Sequence, residues 1–132
     1  MRSLGCKSVK RGCETANCGL CTVFLDEKPV LSCSVLAARV DGRSVTTLEG
    51  LQEEAAEFGA FIADQGAEQC GFCNPGFIMN ALALFREKPR PRMRRRSRNT
   101  LRATFAAAPG TKASCAGSRT FWRGKNSKEA AQ

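Results

Sequence analysis

The sequence predicts a small α+β fold in which short strands precede two amphipathic helices. Three observations predict it. Two brief β-prone runs, Thr22 to Leu25 and Val30 to Cys33, flank the polar stretch Asp26-Glu27-Lys28-Pro29, which reads as a hairpin turn without its best residue, a glycine. From about Leu51 to Gln65, apolar residues recur at Leu51, Ala55, Phe58, Phe61 and Ile62, which share one helix face. A second helical period, Phe77, Ile78, Ala81, Leu82 and Phe85, continues until Lys88-Pro89 stops it.

The first element along the chain is a cysteine loop. The run GCETANCGLCTV places Cys13, Cys18 and Cys21 as C-x4-C-x2-C, and the hairpin returns Cys33 toward them. This is the ligand spacing of a plant-type [2Fe–2S] cluster. Gly12 and Gly19 stand where a loop must bring its own backbone close to the sulfurs and aim amides at them. Electron transfer is therefore the first functional expectation. Zinc fits less well, because its structural sites pair cysteines with a second close pair or with histidine, and the chain has no histidine. A secreted disulfide framework is a minor alternative, since MRSLGCKSVKRG contains no apolar run of leader length. Cys6 reads as a small buried residue and Cys115 as incidental.

A third strand is predicted around Val45 to Leu48, after the Asp41-Gly42 turn, followed by the first helix. The second helix is preceded by AEQCGFCNPGF, with Asn74 suited to capping it and Pro75 to its first turn. A helix N-terminus beside Cys70 and Cys73 favours thiolates, so a redox C-x-x-C and half of a metal site are both chemically reasonable. Half of a metal site is preferred, because a thioredoxin-like motif requires a βαβ context that is absent from the pattern. Two cysteines alone cannot complete a cluster.

At 132 residues the chain makes one domain or two very small ones, for which clusters would act as staples. The net charge of +9 is unevenly placed: residues 1–89 carry −2 and residues 90–132 carry +11. The shift coincides with loss of hydrophobic periodicity and the onset of RPRMRRRSRNT, so a boundary is predicted there, followed by a basic tail expected to be disordered. The tail aromatics Phe105, Phe121 and Trp122 do not interleave with its arginines, so nucleic acid is not expected as a partner. No apolar run is long enough to span a bilayer, which predicts no membrane partner, and thiolate-type cysteines suit a reducing cytoplasm.

GCETANCGLCTVFLDEKPVLSCSVLAARVDG, then TTLEG, then GAEQCGFCNPGFIMNALAL, together resemble the iron–sulfur subunit of the xanthine dehydrogenase or molybdenum hydroxylase family, over about Leu4 to Pro89. The resemblance implies a partial β-grasp [2Fe–2S] ferredoxin-like domain over residues 1–50 and a truncated helical-bundle [2Fe–2S] domain over residues 51–89. By position, Cys13, Cys18, Cys21 and Cys33 would ligate the first cluster and Cys70 and Cys73 would supply half of the second. Gln69 would touch the pterin of a molybdenum cofactor on a partner, the plain alternative being an ordinary solvated glutamine. The implied role is an electron relay from a molybdopterin-binding subunit to an FAD-binding subunit or another acceptor, with no substrate site on this chain.

Two departures from the family stand out. Met1 lies twelve residues before Cys13, where the family has a strand hairpin and a helix, so the sheet is expected to lack strands. The family closes its second cluster with a C-x-C in a segment resembling GNLCRCTGY, whereas the tail has only Cys115. An out-of-frame ending would account for this. Met93 to Ser97 can be encoded ATG AGG AGG AGA TCG, which regroups after a preceding G as Asp-Glu-Glu-Glu-Ile, and the same frame restores a C-x-C across Phe105 to Ala108. Two other functions remain open at this point: a non-catalytic basic binding module with structural cysteines, and a pseudosubunit that docks without passing electrons.

Overall fold

The computed structural model describes residues 1–66 and 68–86. Strand β1 (Thr22–Leu25) pairs antiparallel with β2 (Lys28–Leu31) and with β3 (Val45–Thr46), giving the order β2-β1-β3. Helices α1 (Gln52–Asp64) and α2 (Asn74–Arg86) follow. The described residues thus form a small α+β fold with a three-stranded sheet and two α-helices, as the periodicities predict. The expected boundary near residue 89, the basic tail with Cys115, and the proposed out-of-frame ending lie outside the described residues.

Strand β1 is buried along its whole length. One face sends Phe24 into the main core with Phe58, Ile62 and α2, while Val23 joins Val9 and Cys21 in a smaller cluster. Cover on both faces explains why TVFL is a continuous run of strand formers instead of an alternating one. Its polar member, Thr22, is fully satisfied: the hydroxyl donates to Gly19 O (2.7 Å) and accepts from Asn80 Nδ2 (3.0 Å). The face bearing Val23 is the less filled of the two, and a cavity of about 740 Å³ opens there between Val9, Val23, Val30, Val35, Val40 and Val45.

The hairpin is tighter than the sequence suggests. Leu25 stands opposite Lys28 and Phe24 opposite Pro29, so only Asp26 and Glu27 form the turn. Their φ values of 48° and 64° are those of a two-residue turn whose twist matches the strands, normally built with Asn-Gly. Asp26 is held there by its neighbours: its carboxylate accepts from Arg43 Nε (2.7 Å) and Ser44 N (3.0 Å). The Arg43 guanidinium, assisted by the Ser44 amide, keeps that carboxyl below the usual carboxylate range. Pro29 is tolerated inside β2 because β2 is an edge strand. The predicted strand Val30 to Cys33 therefore begins two residues earlier, and Cys33 lies beyond it in a 3₁₀ turn, Ser32–Ser34. Strand β3 is also shorter than expected, ending at Thr46 because the chain turns at Leu48–Gly50 into α1.

Helix α1 buries Phe58 and Ile62, with Leu51, Ala55 and Phe61 partly covered, which is the face that its periodicity marks. Helix α2 departs from the amphipathic expectation. Gly76 through Met79 and Ala81 through Leu84 are all buried, because the helix is packed against the sheet, against α1 and against the cysteine loop. Asn74 is not the N-cap that the sequence predicts. Its side-chain amide donates to Glu68 Oε1 (2.7 Å), and the first helical bond runs from Phe77 N to Cys73 O (3.1 Å). Arg86 closes the helix by donating to Glu27 (2.5 Å) and Glu54 (3.0 Å) with its guanidinium 4.8 Å from the Phe24 ring centroid.

Gly76 is where α2 meets the cysteine loop. A Cβ at this position would stand 2.7 Å from Leu20 Cα and 2.9 Å from Gly19 O, both backbone atoms that cannot rotate away. Gly76→Ala is therefore expected to destabilise the fold by about 1–3 kcal/mol, read as a lower urea midpoint.

The N-terminal segment is tied to the turn before α1 by Glu49, whose carboxylate accepts from the Ser8 hydroxyl (2.5 Å) and the Ser8 amide (2.8 Å). Partial burial pushes the Glu49 carboxyl up, but these hydrogen bonds outweigh it and bring the group down to about 2. A carboxyl depressed in the folded state stabilises fully above its unfolded value of about 4.3, and that contribution is lost as pH falls toward the folded value. Urea midpoints are expected to drop between roughly pH 4.5 and 2 in the wild type. Glu49→Gln should start lower at neutral pH and lose less over the same window.

Candidate metal centre

The loop from Cys13 to Cys21 folds around its own sulfur atoms. Cys13 Sγ accepts from the backbone amides of Asn17 (3.4 Å) and Cys18 (3.3 Å). Ala16, at a φ of 54°, turns the chain so that these amides face inward. The amides of Cys18 and Asn17, then the Cys18 side chain and the Thr15 amide, lower the Cys13 thiol to about 6. Gly12 leaves room for this: a Cβ there would come within 2.3 Å of Leu20 Cδ1 and 3.2 Å of Cys18 Sγ.

Cys21 and Cys33 form a different environment. Cys21 is buried at the start of β1, while Cys33 is exposed. They are brought together because Ser32 N donates to Cys21 O (3.1 Å), which pins the 3₁₀ turn to the strand. Burial pushes the Cys21 thiol above its ordinary value, and the neighbouring Cys33 sulfur raises it further. The four cysteines of the first motif thus fall into two interacting pairs, Cys13 with Cys18 and Cys21 with Cys33.

Among the described residues, no three His, Cys, Asp or Glu side chains converge where a single metal ion could be held. A [2Fe–2S] cluster uses four thiolates spread over two irons, and three cysteines of one loop with Cys33 brought in by the 3₁₀ turn, as two pairs, fit that demand. The donor chemistry also fits, because inward-facing amides and a depressed thiol favour the thiolate form that iron requires.

Cys70 and Cys73 lie on the turn ahead of α2, Cys70 exposed and Cys73 partly covered. Gln69 is exposed beside them. No described contact joins these three residues to the first four cysteines, although their helix rests on the first loop at Gly76. Cys6 is partly covered and packs against Val9, Cys21 and Val23, close to the buried role that the sequence suggests for it. Sequence reasoning missed two neighbours of the centre. Lys10 donates its backbone amide to Leu20 O (3.1 Å), and its ammonium lies 5.6 Å from the Phe72 ring centroid. The signal available for them was the cationic run before Cys13, with no acidic residue from Met1 to Arg11.

A family model described as a [2Fe-2S] binding domain matches residues 47–117. The chain belongs to this family. It is 43% identical over 94 residues to the xanthine dehydrogenase iron-sulfur-binding subunit of Escherichia coli, covering 67% of this chain and 59% of that protein. It is 37% identical over 114 residues to the nicotine 6-hydroxylase small subunit of Paenarthrobacter nicotinovorans, covering 86% of this chain and 64% of that protein. Among solved structures, quinoline 2-oxidoreductase from Pseudomonas putida 86 matches with a TM-score of 0.74 at 30% identity, over 87% of this chain and 72% of that one. The resemblance read from the cysteine motifs is therefore borne out at the level of family. The chain spans about half the length of the curated relatives it matches, between 48% and 59% among the xanthine and nicotinate dehydrogenase subunits.

The acidity of Cys13 has a direct consequence. In the iron-free chain, iodoacetamide is expected to label Cys13 with a pH midpoint near 6 and Cys21 only at higher pH. Mass mapping of labelled peptides against pH measures this order.

Proposed function

We propose that the chain is a [2Fe–2S] electron-transfer subunit of a molybdenum-dependent hydroxylase or dehydrogenase, and thus part of an oxidoreductase. The observation that carries this reading is the amide-lined loop of Cys13, Cys18 and Cys21 together with the 3₁₀ turn that brings Cys33 beside Cys21. These four would hold one cluster, and Cys70 and Cys73 would contribute half of a second. When bound, such a cluster supplies one-electron redox chemistry at a potential tuned by its surroundings. The chain's own part is electrostatic: backbone amides of Asn17 and Cys18 favour negative charge on sulfur, and burial of Cys21 keeps water from one side.

In this reading residues 1–50 form a partial β-grasp, ferredoxin-like unit and residues 51–89 a truncated helical second-cluster unit, with residues 90–132 a basic tail. Electrons would pass from a molybdopterin-binding subunit to an FAD-binding subunit or another acceptor, with Gln69 reaching the pterin. Support comes from the relatives, which are named as small or iron–sulfur subunits of xanthine, nicotinate and nicotine enzymes. Substrate would be bound on another chain. A reducing cytoplasm suits a thiolate ligand set, and among the described residues no helix is long and apolar enough to cross a membrane.

Anaerobic purification followed by iron and sulfide analysis and electron paramagnetic resonance tests the proposal. Roughly two irons and two sulfides per chain are expected if only the first site fills. Cys13→Ser or Cys33→Ser should abolish the signal, and zinc without sulfide in the wild type would overturn the assignment.

A further inference from the structure

The N-terminal segment and the turn ahead of α2 together form a small cationic cup. A cavity of about 310 Å³ is lined by Arg2, Lys7, Lys10, Arg11 and Phe72. No carboxylate lines it, and residues 1–11 hold four cations with no acidic residue among them. Arg11 pairs with Glu14 at the rim, whereas Arg2, Lys7 and Lys10 have no ion pair among the described residues. The charge here is opposite to that of residues 1–89 as a whole, which carry −2. Clustered like charges repel one another, so a cup of this kind gains from a multiply anionic occupant.

Two further features say what kind of occupant. Phe72 is one of the exposed large hydrophobic residues, at 49% exposure, and it contributes an apolar ring to a cationic lining. Arginine and aromatic side chains together are the composition enriched at protein–protein interfaces, and an inorganic anion would find no partner in the ring. One wall of the cup is tied to the cysteine loop, where Lys10 N donates to Leu20 O (3.1 Å), and the Lys10 ammonium stands 5.6 Å from the Phe72 ring centroid on the other wall.

We propose that this cup is a docking surface for a carboxylate-bearing patch on a protein partner, the subunit with which the chain exchanges electrons. Naming that partner rests on the function proposed above, whereas the charge and shape of the surface do not. Docking here would bring the partner beside both cysteine segments, and charge complementarity would set orientation and association rate more than final affinity.

An oligoglutamate peptide coupled by a zero-length carbodiimide provides the test, with cross-linked lysines of the full chain mapped by mass spectrometry. Lys7 and Lys10 are expected to react several-fold more than Lys28, an exposed lysine on β2 outside the cup, and high salt should remove that excess. The double variant Arg2→Ala and Arg11→Ala keeps both reporter lysines and should lower their yield several-fold while circular dichroism stays unchanged. Equal labelling of Lys7, Lys10 and Lys28, or an unaltered yield in the double variant, would overturn the proposal. Protection of Lys7 and Lys10 by inorganic pyrophosphate beyond that given by sodium chloride of equal ionic strength would also overturn it, in favour of a small phosphate ligand. The reaction needs no iron, so a chain that fails to bind a cluster defeats the proposed function and leaves this measurement decisive for the docking surface.

Discussion

Helix α2 starts by pressing its backbone against the backbone of the cysteine loop. At Gly76 the approach is close enough that even a methyl group would collide with Leu20 and Gly19. Four residues on, Asn80 reaches the hydroxyl of Thr22 and the carbonyl of Gly76, so the helix is tied to the start of β1 as well as to the loop. Because Cys21 immediately precedes Thr22, the position of one cysteine pair depends on how α2 is seated. The same seating explains why α2 is buried almost all round, and why its few polar atoms are spent on internal hydrogen bonds.

Around that contact the fold separates two chemical environments only a few residues apart. Cys13 sits among backbone amides in an open loop, where negative charge on sulfur is favoured, while Cys21 sits under the sheet, where burial disfavours it. A bound cation centre would compensate the second and exploit the first. Arg86 secures the opposite end of the assembly by joining the hairpin turn at Glu27, helix α1 at Glu54 and the ring of Phe24. Exposed ion pairs of this kind contribute about 0–1 kcal/mol each, so Arg86 matters more for aligning three elements than for holding them.

The strained turn at Asp26 and Glu27 follows the same logic. Two non-glycine residues accept positive φ because Arg43 and Ser44 hold the Asp26 carboxylate. Shortening the turn to two residues sets the register of the hairpin, and that register decides where Cys33 emerges. One residue of slip would move Val30 and Leu31 to the other face of the sheet and carry the 3₁₀ turn that bears Cys33 away from Cys21.

The cysteine spacing from Cys13 to Cys33, the apolar face of α1 and the existence of α2 were all legible in the sequence. Each is a local pattern whose period or spacing directly encodes which side chains share a face or can meet. Family membership was legible for the same reason, since the motifs around Cys13 and Cys70 are contiguous runs of residues. The strand limits, the cap before α2 and the contact at Gly76 were not legible, because each depends on a partner distant in the chain: Lys28 on its register with Leu25, Asn74 on Glu68, and Gly76 on Leu20. The cup of Arg2, Lys7, Lys10, Arg11 and Phe72 belongs to the same class. By itself the sequence determined the cysteine spacing, the fold class and the charge of each segment; only the tertiary structure decided which cysteines stand together, that the Cys13 thiol is lowered while that of Cys21 is raised, and which cations face one cavity, because burial and long-range proximity exist only once the chain has closed on itself.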